Sequence, residues 1–142
     1  MLEKEQKKRF FIEELKIIQD IIKRMAFDSF MIKGWAITLV IITLLLKGGS
    51  FQVFISFIPL LVFWYLDAYF LWQERMYREL YNWVVKNRLK TEDFLFDLNA
   101  YRFKDKVQGK LRIMFSITLG WFYGSIAVLI LVYAFFILKW EI

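Results

Sequence analysis

The sequence predicts an all-α integral membrane protein with three transmembrane helices and long cytosolic helical extensions. Three observations carry that prediction. First, 59% of the 142 residues are hydrophobic, above the roughly 45–50% of soluble domains. Second, 24% are nevertheless charged, and the two kinds fall in separate blocks, as spans joined by charged helices require. Third, of the 20 Lys and Arg, all but Lys47 and Lys139 lie in residues 1–33 or 73–112. The positive-inside rule makes both basic regions cytoplasmic, with the 47–50 turn and the C-terminus outside. A multi-pass protein of the cell inner (plasma) membrane is the expectation, in a single domain.

The composition also narrows the chemistry. The chain has no Cys and no His, which removes the usual zinc sites, thiol nucleophiles, Ser-His-Asp triads and histidine-ligated haem. It shows no glycine-rich phosphate loop, metal-ligand cluster or carboxylate pair at catalytic spacing. No enzymatic activity, catalytic residue, cofactor or metal is expected.

Residues 3–26 read as a cytosolic amphipathic helix. Phe11, Leu15, Ile18, Ile22 and Met25 recur at alternating four and three, the spacing of a helix-packing or coiled-coil seam. Glu13, Glu14, Lys16, Asp20 and Lys23 are assigned to the opposite, solvated face. Packing against the rest of the protein or another copy is the first reading, and lying flat on anionic lipid the second.

The first span is assigned to 27–46. Its uncharged part, Gly34 to Leu46, rises only about 20 Å against a hydrocarbon core of about 30 Å. A crossing helix must therefore start near Ala26 or Ser29 and carry Lys33 inside the boundary. Lys47-Gly-Gly-Ser50 supplies a tight turn, and the second span, 51–72, is long enough alone. A hairpin through that turn sets Lys33 opposite Trp64 or Tyr65, within about one turn of Asp67. Ionisable groups inside a membrane generally face protein and pair, so a Lys33–Asp67 ion pair is expected. The alternative is that each snorkels separately to the interface.

The second span has a polar seam. Gln52, Ser56, Pro59, Phe63, Asp67 and Glu74 fall within an arc of about 80°, either to pack helices or to admit water and ions. Pro59 cannot donate to the carbonyl of Ile55, which favours a bend. Residues 73–110 are read as cytosolic helices. The first continues the span, supported by the i,i+4 pairs Glu74/Arg78 and Arg75/Glu79. A restart capped by Thr91 follows, with Phe94, Leu98 and Tyr101 on one face of a short helix.

The third span is assigned to 113–138. Ser116, Gly120 and Gly124 stand four apart, a small-xxx-small helix-packing stripe. Trp35, Trp72 and Trp140 suit the interfaces, with Trp64 and Trp121 assigned to the interior. Lys86, Arg88, Lys90, Arg102, Lys104, Lys106, Lys110 and Arg112 form a basic cytosolic patch interleaved with Tyr101 and Phe103. Anionic lipid headgroups and topology explain it most simply, ahead of an anionic ligand. No direct nucleic-acid contact is expected.

One resemblance adds to this reading. The cytosolic helix, the tight hairpin at Lys47-Gly-Gly-Ser50 and the run Tyr65-Leu-Asp-Ala-Tyr-Phe-Leu-Trp-Gln-Glu-Arg75 are similar in layout to SLATT-type modules of small bacterial membrane effectors. The likeness covers roughly residues 5–90, and the third span departs from it. It implies homo-oligomerisation and membrane permeabilisation after an upstream signal, in antiviral (anti-phage) defence. The functional expectation is an oligomeric protein that forms or gates a pore. The alternative is a structural or scaffold subunit docking a cytosolic partner. The bilayer, a second copy, and a cytosolic protein or nucleotide signal are the candidate partners.

Overall fold

The computed structural model of the protein describes residues 3–46, 49 and 51–140, with the side chain of Leu138 left aside. Lys47, Gly48 and Ser50 of the expected turn lie outside the described residues. Gly49 has φ +69°, a left-handed conformation that glycine adopts without steric cost.

All regular structure among the described residues is helical. Helix α1 runs Lys4–Leu45, α2 Phe51–Asn87, a 3-10 helix Ala100–Lys106, α3 Lys110–Met114 and α4 Ile117–Trp140. α1, α2 and α4 are each long and apolar enough to cross a membrane. The chain divides into two compact units, one of residues 3–27 with 70–108, the other of residues 28–69 with 109–140.

The first, charged unit is organised on a seam. Ile18 of α1 is fully buried with Met76, Leu80 and Val84 of α2, and Ala100 and Phe103 of the 3-10 helix complete the cluster. Phe11, Leu15 and Ile22 pack against it, as the alternating spacing predicts. Glu14 departs from its assigned polar face and is completely buried. It stands three residues after Phe11 and four before Ile18, so helical geometry puts it on the seam itself.

One further correction belongs to this unit. The expected helix restart at Thr91 is absent. Thr91 Oγ1 instead accepts the Asp93 backbone N–H at 3.1 Å, and Phe94 and Phe96 have φ of 58° and 56°, incompatible with a right-handed helix. Regular structure resumes only at Ala100, where the Asn99 side chain caps the 3-10 helix by accepting from the Tyr101 N–H.

In the second, apolar unit the buried positions repeat every three or four residues. They are Ser29, Ile32, Ala36 and Val40 on α1, and Leu119, Tyr123, Ile126 and Ile130 on α4. On α2 Gln52, Ser56, Leu60 and Asp67 are buried. The outward surface is strongly apolar: Phe30, Phe54 and Phe135 are exposed, an extent of apolar surface that soluble monomers rarely show.

Two boundaries differ from the sequence reading. Residues 3–26 and 27–46 are not separate elements but one 42-residue helix. Nothing between them breaks it, since no Pro occurs there and Gly34 is isolated. The third span starts later than expected, at Ile117, because the chain turns between α3 and α4. Trp64 Nε1 donates to the Met114 carbonyl at 2.8 Å, and the Ser116 N–H reaches back to Ile113 at 3.0 Å. The interior assignment of Trp121 also fails, for it is 77% exposed. It lies about 200° around α4 from buried Leu119.

Candidate functional site

The chemically distinctive place in the apolar unit is a hydrogen-bonded node on Asp67. α2 supplies the carboxylate, α1 supplies Ser29 and Lys33, and α4 supplies Tyr123. Ser29 and Lys33 are one turn apart, so a continuous helix presents both on one face. Lys33 Nζ is 2.6 Å from Asp67 Oδ2 and donates to Ser29 Oγ at 2.8 Å. Ser29 Oγ donates to Asp67 Oδ1. Tyr123 Oη donates to Asp67 Oδ2 at 2.9 Å.

Asp67 and Tyr123 have no exposed surface, while the Lys33 side chain keeps 27%. Burying a carboxylate is costly unless it is paired and hydrogen-bonded. Here one cation and two hydroxyls meet that demand, using three of the carboxylate's roughly four acceptor positions. Aromatic rings wall the node: Trp64 stacks on Tyr123 with centroids 5.7 Å apart, and Lys33 Nζ lies 5.9 Å from the Phe122 centroid. The result is a charge-balanced rivet through three helices, with its acceptors turned inward.

The rest of the polar seam is internally bonded as well. Gln52 Nε2 donates to the Thr43 carbonyl at 2.6 Å, and Ser56 Oγ to the Val53 carbonyl at 2.6 Å. Glu74 belongs to the charged unit, where Arg78 binds its carboxylate at 2.6 Å. Ser116, Gly120 and Gly124 line an open groove on α4.

The basic patch does not hold together as assigned. Lys110 and Arg112 fall in the apolar unit and the other six in the charged unit. Arg88 is the clearest correction, being buried. Its Nε and Nη2 bind the two oxygens of Glu14 at 2.6 and 2.8 Å. Its remaining N–H groups donate to the carbonyls of Thr91, Asp93 and Phe94. Arg102 is half-buried, its guanidinium 4.1 Å from the Phe94 ring centroid and 5.3 Å from that of Trp83. Lys86, Lys90, Lys104 and Lys106 are exposed. The interleaved aromatics carry the chain's own cations, with Lys104 over Tyr101 and Lys106 over Phe103.

Sequence reasoning singled out Lys33 and Asp67 but missed Ser29, Tyr123 and the role of Glu14. Ser29 had a signal, standing one turn before Lys33 on the same face. Tyr123 had only its hydroxyl, set in an apolar run.

No family model matches the chain, and neither does a curated protein or a solved structure.

Proposed function

We propose that the protein is a multi-pass protein of the inner membrane whose copies assemble and open a pore, the Asp67 node holding the closed form. The observation that carries this reading is that all three long helices meet at one completely buried acid. Around it the outward surface is apolar, and Gln52, Ser56 and Asp67 of α2 are buried. A bundle of this kind seals while the node is intact and has polar groups to offer a water path once the helices separate. The resemblance to SLATT-type modules points the same way, with an upstream signal as the trigger and anti-phage defence as the setting. The N-terminus and the charged unit are then cytoplasmic, and the C-terminus is outside.

The test is dye and ion leakage from liposomes and from induced cells, with and without extract from phage-infected cells. The expected result is triggered leakage from wild type and spontaneous leakage from Asp67→Asn. A chain that never leaks under any of these conditions overturns the reading.

A second reading, a membrane-anchored scaffold, is favoured by a separate observation. Val85, Leu89, Phe94 and Tyr101 of the charged unit are exposed, the kind of surface a protein partner covers. It predicts a stoichiometric partner on affinity purification, with unchanged membrane potential.

A further inference from the structure

The charged unit holds a polar hollow between α1 and α2 that involves neither the Asp67 node nor the Glu14–Arg88 pair. Gln19, Ile22 and Lys23 of α1 and Arg78, Tyr81 and Asn82 of α2 line a space of about 430 Å³. That is within the roughly 300–1,000 Å³ of small-ligand sites. Each helix contributes residues at i, i+3 and i+4, so one turn of each supplies a wall. The floor is fixed, because Ile22 and Tyr81 also pack against the core cluster around Ile18 and Leu80. Gln19 Nε2 donates to Tyr81 Oη at 3.2 Å and ties the two walls together.

The lining is rich in donors and contains no acid. Arg78 binds Glu74 through Nε and Nη2, which leaves the Nη1 side of its guanidinium for a second oxyanion. Lys23 meets Asp20 at 3.9 Å with both side chains 77% exposed, and such a pair contributes little. Tyr81 accepts from Gln19, so its own O–H donates elsewhere, and the Asn82 amide adds two N–H groups. A carboxylate has too few oxygens for this set. A phosphate monoester offers three strong acceptor oxygens and nearly two negative charges at neutral pH, against one ammonium and one guanidinium. A neighbouring hollow that shares Arg78 has Arg75 and Lys106 but also Glu79, whose charge opposes an anion.

We propose that the hollow lined by Lys23 and Arg78 is a binding site for a phosphate monoester, its terminal oxygens also taken by Tyr81 and Asn82. The site stands whether or not a pore opens. Under the membrane reading, Lys23 precedes residue 27, where the first span is assigned to begin, by about 6 Å of helix rise. That is headgroup depth, so a soluble phosphate ester and phosphatidic acid can present the same group. The full chain in neutral detergent is titrated with glycerol phosphate by isothermal calorimetry at constant ionic strength. In a second arm, native mass spectrometry follows retention of phosphatidic acid against phosphatidylcholine, supplied equally. The expected result is one phosphate monoester bound per chain. Binding of glycerol phosphate assigns the site to a solute, and retention of phosphatidic acid alone assigns it to lipid. Lys23→Gln lowers that binding about fivefold, the effect of one basic contact. Lys90→Gln, at an exposed lysine outside the hollow, leaves it unchanged. Asn82→Leu puts an apolar side chain into the hollow and abolishes binding, with helix content by circular dichroism unchanged. Absence of binding in both arms overturns the proposal. So does an equal loss in Lys23→Gln and Lys90→Gln, or full binding by Asn82→Leu.

Discussion

A carboxylate without exposed surface must be matched by donors, and Asp67 takes its donors from two other helices at once. Because Lys33 and Asp67 neutralise each other, removing either charge leaves the other uncompensated. Breaking a buried pair costs about 3–5 kcal/mol. Lys33 keeps 27% of its side chain open, so Lys33→Met and Asp67→Asn should each cost nearer 2–3 kcal/mol. The double variant should recover more than half of the summed loss, because no charge is then stranded. Thermal unfolding in detergent, arranged as a double-mutant cycle, measures this coupling, and strictly additive losses would show that the pair is not coupled. The sequence pointed to these two residues through a length argument: the uncharged run from Gly34 is too short to cross, so Lys33 has to enter. It could not point to Tyr123, because no spacing within α4 tells which of its side chains turns toward α2.

At the scale of the element, the segment between α2 and the 3-10 helix depends on one ion pair. Phe94 and Phe96 hold left-handed conformations, each costing about 1–2 kcal/mol for a residue with a Cβ. Arg88 offsets this by capturing three carbonyls of the segment while its other edge binds Glu14. Lys7 adds an outer tie to Glu92 at 2.8 Å, which is half-exposed and contributes little. Glu14→Gln should therefore lower stability by about 3 kcal/mol, the lower end for breaking a buried pair. It should also open residues 89–99 to limited proteolysis, while Lys7→Gln leaves the cleavage pattern unchanged. Equal protection in both variants would show that Arg88 holds the segment without its acid. Here the sequence misled in an instructive way. Charged residues in a basic region default to solvent, and periodicity places a residue on a face without telling whether a partner waits there. Thr91 followed by two acids reads as a helix start, but the same residues also make a local turn. The competing demand from Arg88, 74 positions away from Glu14 in sequence, settles which one forms.

For the whole molecule, the three long apolar helices were legible because block segregation needs no tertiary knowledge. Their ends were less so: α1 runs through an expected junction, and α4 begins only after a turn fixed by Trp64. The proposed pore and phosphate site concern the finished protein, but the node also bears on how the chain is made. The membrane part of α1 leaves the ribosome with Lys33 and without Asp67, which lies 34 residues later. A lysine at the centre of a span costs about 2.5–3.5 kcal/mol on the insertion scale; Lys33, one to two turns inside the boundary, costs less, but so short a span has little to set against it. Under the membrane reading, α1 should wait at the translocon until α2 arrives, and the two should partition together. A chain ending at residue 46 fused to a topology reporter should insert poorly, one ending at residue 87 should insert efficiently, and Lys33→Leu should rescue the shorter one. Efficient insertion of the short chain with Lys33 intact would show that the first span needs no partner to enter. The ion pair that rivets the finished bundle would then also act as a checkpoint in biogenesis, delaying commitment of the first helix until its counter-charge has been synthesised.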